Sequence, residues 1–317
     1  MSGYRLRRAG ALAVLVTALL GCAAQEEREI RVVSSHSPVN RQGGITYKGV
    51  PLFPGQLVLT EHGDAMSLLM TVGLTRFRPF THAGILVVED GEPYVYDLVG
   101  SLGLNRMDPP TDGIHGGVQS RPLDRVIRRN RVVAVYDPPP GTHPGRMVTY
   151  SWKSALSDID FDPYFDYDDR RRLYCTEFVA VAVQQAGGEP PDPIPLRGNP
   201  SLGVVFRWLK IRAPRILAAG SFAVPDRHVA TFTSGWTEAE IAAYFAAKRE
   251  IHRRFTADQR LGHLFRWEGN SLELRPGVVE FREQALQLAR SGELASRPEA
   301  VGAAVQKLAK RFFSVYR

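Results

Sequence analysis

The chain has 317 residues, of which 44% are hydrophobic and 23% are charged. This composition is typical of a globular protein rather than a disordered one, and the length allows one large domain or two modest ones with a substantial core. The net charge of +7 is not concentrated in a dense basic run, which argues against a nucleic-acid-binding protein and suits an anionic membrane or wall polymer as a neighbour.

The first residues have the pattern of a secretory signal peptide. A basic stretch without acids, MSGYRLRRAG, precedes the apolar run ALAVLVTALL, which is too short for a transmembrane helix. The sequence LLGC then resembles a bacterial lipobox, in which the cysteine is lipidated and begins the mature protein. We therefore expect a lipoprotein signal peptide over residues 1–21 and lipidation of Cys22. Because Ala23 follows, we expect anchoring on the periplasmic side of the outer membrane; ordinary cleavage after Ala24 is the alternative.

The rest of the chain divides into three segments by composition. Residues 22–45 are polar and predict a tether, residues 46–235 predict an α+β domain, and residues 236–317 predict a helical extension. In chain order, the domain is expected to contain a strand at 55–60, a helix at 63–75, a hairpin at 81–100, a strand at 131–137 and helices at 144–157 and 176–186.

The hairpin over residues 81–100 is the clearest local prediction. Two runs rich in Val, Ile and Tyr flank Asp90-Gly91, a dipeptide that favours a two-residue type I′ turn. With this turn, His82 and Asp97 lie on the same face as diagonal cross-strand neighbours, where the acid could fix the imidazole tautomer. A structural histidine and a solvent-facing acid remain the alternatives for the two residues taken singly.

If Cys22 carries lipid, Cys175 is the single thiol of the mature protein, since the chain has two cysteines. Cys175 directly precedes the apolar helix predicted at 176–186, where unpaired backbone N–H groups and the helix dipole favour a thiolate. A nearby imidazolium would complete the Cys–His pair used in nucleophilic catalysis. The alternative is a buried cysteine that fills a gap between helix and sheet.

An acidic segment precedes this helix. Asp158, Asp160 and Asp162 have the alternate spacing of a calcium-binding loop, but Pro163 stands where that loop needs glycine and no glutamate closes it. We therefore expect a loop with capping acids rather than a metal site.

Two blocks, THAGILV at 81–87 and FDPYFDYDDRRRLYCTEFV at 161–179, resemble the YiiX-like branch of the NlpC-type papain-like cysteine hydrolases. That branch is circularly permuted, so its histidine precedes its cysteine in the sequence. The resemblance covers residues 50–235 and implies a permuted papain-like domain with a small antiparallel sheet packed on helices. It implies Cys175 as nucleophile, His82 as general base and Asp97 as orienting acid. It further implies structural or cleft-lining positions for Glu177, Tyr164, Tyr174 and Thr81.

The function implied by the resemblance is a cell-envelope amidase or peptidase that forms a thioester acyl-enzyme, with a peptidoglycan-type peptide amide as substrate. This mechanism needs no cofactor and no metal. One alternative is a lipid thioesterase or acyltransferase, since lecithin–retinol acyltransferase-like proteins share the order of histidine and cysteine. Another is a catalytically silent module that binds wall peptide in the same cleft.

Overall fold

The fold is described from a computed structural model over residues 29–36, 43–100, 116–157, 159–198, 200–208, 211, 213–258, 260–269 and 271–313. The predicted signal peptide, Cys22 and Asp158 lie outside these residues. Within them, no helix has the length and apolar character that crossing a membrane requires.

The described residues contain both strands and helices, in an α+β arrangement that confirms the predicted class. The strands are β1 (Ile30–Ser35), β2 (Ile45–Tyr47), β3 (Val50–Leu52), β4 (Leu57–Glu61), β5 (His82–Glu89), β6 (Glu92–Gly100), β7 (Gly116–Pro122), β8 (Val132–Tyr136), β9 (Ile194–Pro195), β10 (Arg215–Ile216), β11 (His228–Ser234), β12 (Phe265–Glu268) and β13 (Ser271–Leu274). The helices are α1 (Ala65–Gly73), α2 (Leu123–Arg129), α3 (Pro144–Ala155), α4 (Cys175–Gln185), α5 (Pro200–Trp208), α6 (Glu238–Asp258), α7 (Pro276–Arg290) and α8 (Pro298–Phe312).

One antiparallel sheet organises the domain, with the strand order β1–β11–β8–β4–β5–β6–β7. Strand β4 is buried on both faces: Leu57 and Leu59 join one apolar cluster, whereas Val58 joins another on the opposite side, as the alternation of side chains along a strand requires. The first cluster includes residues of α1, α3, α4 and the C-terminal helices, and the second includes residues of α2. With seven strands, the sheet is larger than the small one expected from the sequence, which gave no indication of β7, β11 or α2.

The predicted tether over residues 22–45 is wrong for the part that the structure describes. Ile30–Ser35 forms the edge strand β1, which pairs antiparallel with β11. Ile30 is buried, and Val32 packs against the second apolar cluster. Ile30, Val32 and Val33 form a short apolar run within a polar segment, and the pairing with β11 is what makes this run a strand.

The C-terminal segment is helical as predicted, but it also contains the antiparallel ribbon β12–β13. Its three long helices do not form a separate core. Ala243 in α6, Phe281 in α7 and Val305 in α8 belong to the same apolar cluster as Leu59 of the sheet and Phe178 of α4. The segment therefore packs as part of the domain.

Candidate active site

The β5–β6 hairpin has the turn and register that the sequence predicts. Asp90 and Gly91 both have positive φ, 49° and 82°, as a type I′ turn requires. Glu89 pairs with Glu92 directly beside the turn. Continued to the first residue of β5, this register places His82 opposite Val99 and diagonally across from Asp97.

His82 and Asp97 are joined by a hydrogen bond of 2.7 Å between His82 Nε2 and Asp97 Oδ2. The Asp97 side chain is 1% exposed and that of His82 is 28% exposed. Gly84 lies between them on the same face, and a Cβ there would come within 3.0 Å of Asp97 Cβ and 2.7 Å of Val95 Cγ1. The glycine therefore leaves the space that Asp97 occupies beside the histidine.

Cys175 is the first residue of α4, and it lines the same cavity as His82, close enough for its charge to act on the imidazole. Burial lowers the pKa of His82, but the charge of a Cys175 thiolate and the hydrogen bonds to Asp97 and Cys175 outweigh it. The pKa of His82 is therefore raised well above its ordinary value. An imidazolium beside a cysteine at a helix N-terminus is an arrangement that stabilises a thiolate.

Arg121 is a site residue that the sequence did not indicate. It lies on β7 opposite Val95, and its guanidinium Nη2 donates to Asp97 Oδ2, the same oxygen that binds His82. The other oxygen, Asp97 Oδ1, has no hydrogen-bond partner among the described residues. Arg121 thus compensates the buried charge of Asp97 and fixes the carboxylate against the imidazole. The hairpin register predicts the position of Asp97. Arg121 reaches Asp97 only because β7 pairs with β6.

Glu177 lies inside the first turn of α4, where it is fully buried. Its Oε2 accepts the backbone N–H of Tyr174 at 3.2 Å, and its Oε1 lies 3.9 Å from Arg170 Nη1 without a hydrogen bond. Burial raises the pKa of Glu177 to about 8, although the Tyr174 N–H and the Arg170 charge act in the opposite direction. The contact with Tyr174 N–H makes Glu177 a capping residue of the helix that carries Cys175.

The three remaining predicted residues differ in their distance from the thiol. Thr81 and Tyr174 line cavities next to Cys175. Tyr164 does not line either of these cavities, and its backbone N–H binds Asp162 Oδ1 at 2.8 Å. Phe165, with a left-handed φ of 54°, is the aromatic residue of this loop that lines both of them.

Cys175 lines two neighbouring cavities, whose walls also share Met70, Thr81 and Phe165. The larger cavity, of about 300 Å³, combines apolar residues with a polar group of wall residues and is called the polar cavity here; the polar residues include His82, Arg121, His62, Asp64 and Asn130. The second cavity is an apolar pocket of about 30 Å³, with a wall mainly of Met70, Leu74, Phe80, Ile216, Leu217 and Ala219. A ligand that contacts Cys175 can therefore extend into both cavities.

The acidic segment before α4 forms a turn. Asp162 is buried, and its two carboxylate oxygens accept the backbone N–H groups of Tyr164 and Asp166 at 2.8 and 2.6 Å. Among the described residues, no group of three or more His, Cys, Asp or Glu side chains is arranged to hold a metal ion. Asp162 acts as a capping acid of the loop that supports Phe165.

No family model matches the sequence, and no curated protein is significantly similar to it. A comparison with solved structures finds a crystal structure described as the metalloprotein yiiX from Escherichia coli O157:H7, with 16% identity and a TM-score of 0.42. The similarity covers 58% of this chain and 97% of that one. The function proposed below therefore rests on the geometry of the site.

Proposed function

We propose that this protein is a cysteine hydrolase of the permuted papain-like type, with Cys175, His82 and Asp97 as its catalytic residues. The observation that carries the proposal is a buried carboxylate hydrogen-bonded to an imidazole, which shares a cavity wall with a cysteine at a helix start. Taken together with the two cavities that meet at the thiol, this arrangement has the nucleophile, base and orienting acid that acyl transfer needs.

The reaction follows from these positions. The Cys175 thiolate attacks the carbonyl carbon of an amide, and the oxyanion that forms is stabilised by backbone N–H groups at the start of α4. The imidazolium of His82 gives its proton to the leaving amine, which leaves a thioester on Cys175. His82 then removes a proton from water, the hydroxide attacks the thioester, and the carboxylic acid leaves while Cys175 is regenerated. Asp97 holds the imidazole in position throughout, and Arg121 holds Asp97.

The proposed substrate is a peptide amide of the cell envelope, of the peptidoglycan type. Support comes from the N-terminal sequence, because a signal peptide and a lipidated Cys22 would place the enzyme on the periplasmic side of the outer membrane, next to the wall. The proposed partners are therefore the envelope peptide and, through the lipid anchor, the membrane. We propose no nucleic-acid partner.

The test is the rate at which iodoacetamide alkylates Cys175 between pH 5 and 9, in the full chain with Cys22→Ser so that one thiol remains. We expect fast alkylation at pH 6 that falls about a hundredfold in His82→Ala, because a thiol that ionises near pH 8.5 is only about 0.3% thiolate there. His143→Ala, an exposed histidine at the start of α3, is the matched control and should leave the rate unchanged.

Asp97→Asn sharpens the same test. It keeps the shape of the side chain but removes the charge that favours the imidazolium, so we expect a rate between those of the parent protein and His82→Ala. A slow rate that rises only near pH 8.5 and does not change in His82→Ala would contradict the proposal and favour the silent peptide-binding module.

A further inference from the structure

The apolar pocket beside Cys175 does not contain His82 in its wall, whereas the polar cavity does. In the proposed mechanism the leaving amine must receive its proton from His82, so the leaving group has to lie on the side of the polar cavity. The acyl part of the substrate then extends into the apolar pocket. At about 30 Å³, the pocket accommodates two or three water-sized groups of roughly 10–15 Å³ each, which is far less than a fatty acyl chain.

The wall of this pocket is fixed to the helix that carries the nucleophile. The residues on either side of Cys175 both bind the backbone of Leu217. Tyr174 Oη accepts the N–H of Leu217 at 2.9 Å, and Thr176 Oγ1 donates to the carbonyl of Leu217 at 2.6 Å. Both side chains are buried. These two hydrogen bonds hold the Leu217 backbone next to Cys175. The wall of the pocket therefore has a fixed position relative to the nucleophile.

Gly220 brings a second segment against this wall. A Cβ at Gly220 would lie 2.9 Å from Arg78 Cβ and 3.1 Å from the backbone nitrogen of Pro79. Only a residue without a side chain allows the segment before β5 to approach so closely. The approach makes Arg78 part of the pocket wall, where it is the charged residue among mainly apolar neighbours.

Arg78 has no carboxylate partner among the described residues. Its Nε donates to Ser221 Oγ at 3.2 Å and its Nη1 to the carbonyl of Phe77 at 3.3 Å. Burial and the nearby charge of Arg76 lower the pKa of Arg78, yet a guanidinium stays charged at neutral pH. A half-buried cation that contacts only neutral groups favours an anionic ligand, and carboxylate matches its planar fork.

We propose that the apolar pocket selects a short acyl group that bears a carboxylate, and that Arg78 is the residue that determines this specificity. The proposal rests on the function proposed above, because it uses the position of His82 to assign the acyl side. It excludes a long apolar chain from this pocket, which distinguishes the proposed substrate from the fatty acyl chain of a lipid.

The test compares two reagents that differ little in size, iodoacetate and iodoacetamide, on the full chain with Cys22→Ser. We expect the ratio of the iodoacetate rate to the iodoacetamide rate to fall about tenfold in Arg78→Gln, since an opposite charge in the wall of the same small pocket is worth at least that much in a partly buried site. Arg76→Gln is the matched control, because this exposed arginine is on the same segment but outside the pocket wall. Its ratio should stay within twofold of the parent protein's.

Two further experiments do not depend on the folding of Arg78→Gln: the variant Arg78→Lys, and ligand protection in protein with native Arg78. Arg78→Lys keeps the charge and should keep most of the ratio. In protein with native Arg78, propionate should protect Cys175 from iodoacetamide, whereas propionamide at the same concentration should not. A ratio that is unchanged in Arg78→Gln, or equal protection by the two ligands, overturns the proposal.

The outcomes separate this inference from the proposed function. Fast alkylation at pH 6 that depends on His82 but shows no effect of Arg78 contradicts the carboxylate pocket and leaves the hydrolase proposal standing. Slow alkylation by both reagents, with the pH dependence of an ordinary thiol, contradicts both.

Discussion

Two glutamates are fully buried next to the candidate site, and their surroundings differ in almost every respect. Glu61, at the end of β4, forms an ion pair of 2.7 Å with Lys248 of α6. Its two carboxylate oxygens also accept hydrogen bonds from Ser67, Thr81 and Tyr244. Glu177, in the first turn of α4, receives one backbone N–H and faces an arginine at 3.9 Å. The first carboxylate is surrounded by a cation and hydrogen-bond donors, whereas burial raises the pKa of the second and favours its neutral form.

The difference shows what each carboxylate does for the site. Glu61 connects the C-terminal helix α6 to Thr81, the neighbour of His82, and to Ser67, which lines the polar cavity. Burial lowers the pKa of Lys248, and the charge and hydrogen bond of Glu61 oppose this. The ion pair therefore joins the C-terminal segment to the histidine side of the site. Glu177 instead caps the helix on the cysteine side, and within the described part of the chain it has no hydrogen bond to a distant element.

The largest effect is expected from breaking the Glu61–Lys248 pair. Lys248→Met leaves a buried carboxylate without its cation, and we expect a loss of about 3–5 kcal/mol in the free energy of unfolding. The double variant Glu61→Gln with Lys248→Met replaces both charges and should recover more than half of that loss. Urea unfolding at pH 7 measures both. A loss below about 1 kcal/mol for the single variant would show that the pair does not join the two regions.

A smaller effect, with a pH dependence, is expected at Glu177. Its pKa in the folded protein is raised from 4.5 to about 8, so folding takes up a proton between these values and stability falls as the pH rises through them. The penalty is absent below pH 4.5 and complete above pH 8. As the pH rises from 5 to 7, the free energy of unfolding should fall by about 2–3 kcal/mol for this reason.

Glu177→Gln is neutral at every pH and should lack this loss. We expect its free energy of unfolding to match that of the parent protein at pH 5 and to exceed it at pH 8. Parallel slopes for the two proteins between pH 5 and 8 would contradict a raised pKa for Glu177.

The smallest effect is expected from Arg170→Ala. The Arg170 side chain is 44% exposed and lies 3.9 Å from Glu177, so its contribution to stability at pH 7 is below about 1 kcal/mol. Without its charge the pKa of Glu177 rises further, and the pH range over which stability falls should extend upward. Arg171→Ala is the matched control, because Arg171 pairs with Asp169 on the surface and should leave that range unchanged.

The sequence predicted one side of the candidate site well because that side depends on a local turn. Asp90-Gly91 requires two consecutive left-handed residues, and this geometry sets the register of the hairpin over its whole length. Once the register is known, the alternation of side chains places Asp97 beside His82. Cys175 at the helix start was predicted for a similar reason, since the apolar helix and its beginning are local features.

The residues that complete the site could not be predicted in this way. Arg121 reaches Asp97 because β7 pairs with β6, and Arg78 reaches the pocket because Gly220 allows a close contact. Lys248 reaches Glu61 because α6 packs against α1 next to the end of β4. Each of these side chains belongs to a segment of ordinary composition. Their partners are distant in the sequence, and no local pattern marks the pairing.

The sequence by itself determined the α+β class, the hairpin with its histidine and aspartate, and the helix that begins at the cysteine, because turn chemistry and hydrophobic periodicity act over a few residues. Tertiary structure decided the seven-stranded sheet, the strand β1 within the expected tether, and the packing of the C-terminal helices into the same core. It also decided which buried carboxylate is paired and which is not. Those features depend on the surfaces that distant segments present to one another, and such surfaces exist only after the chain has folded.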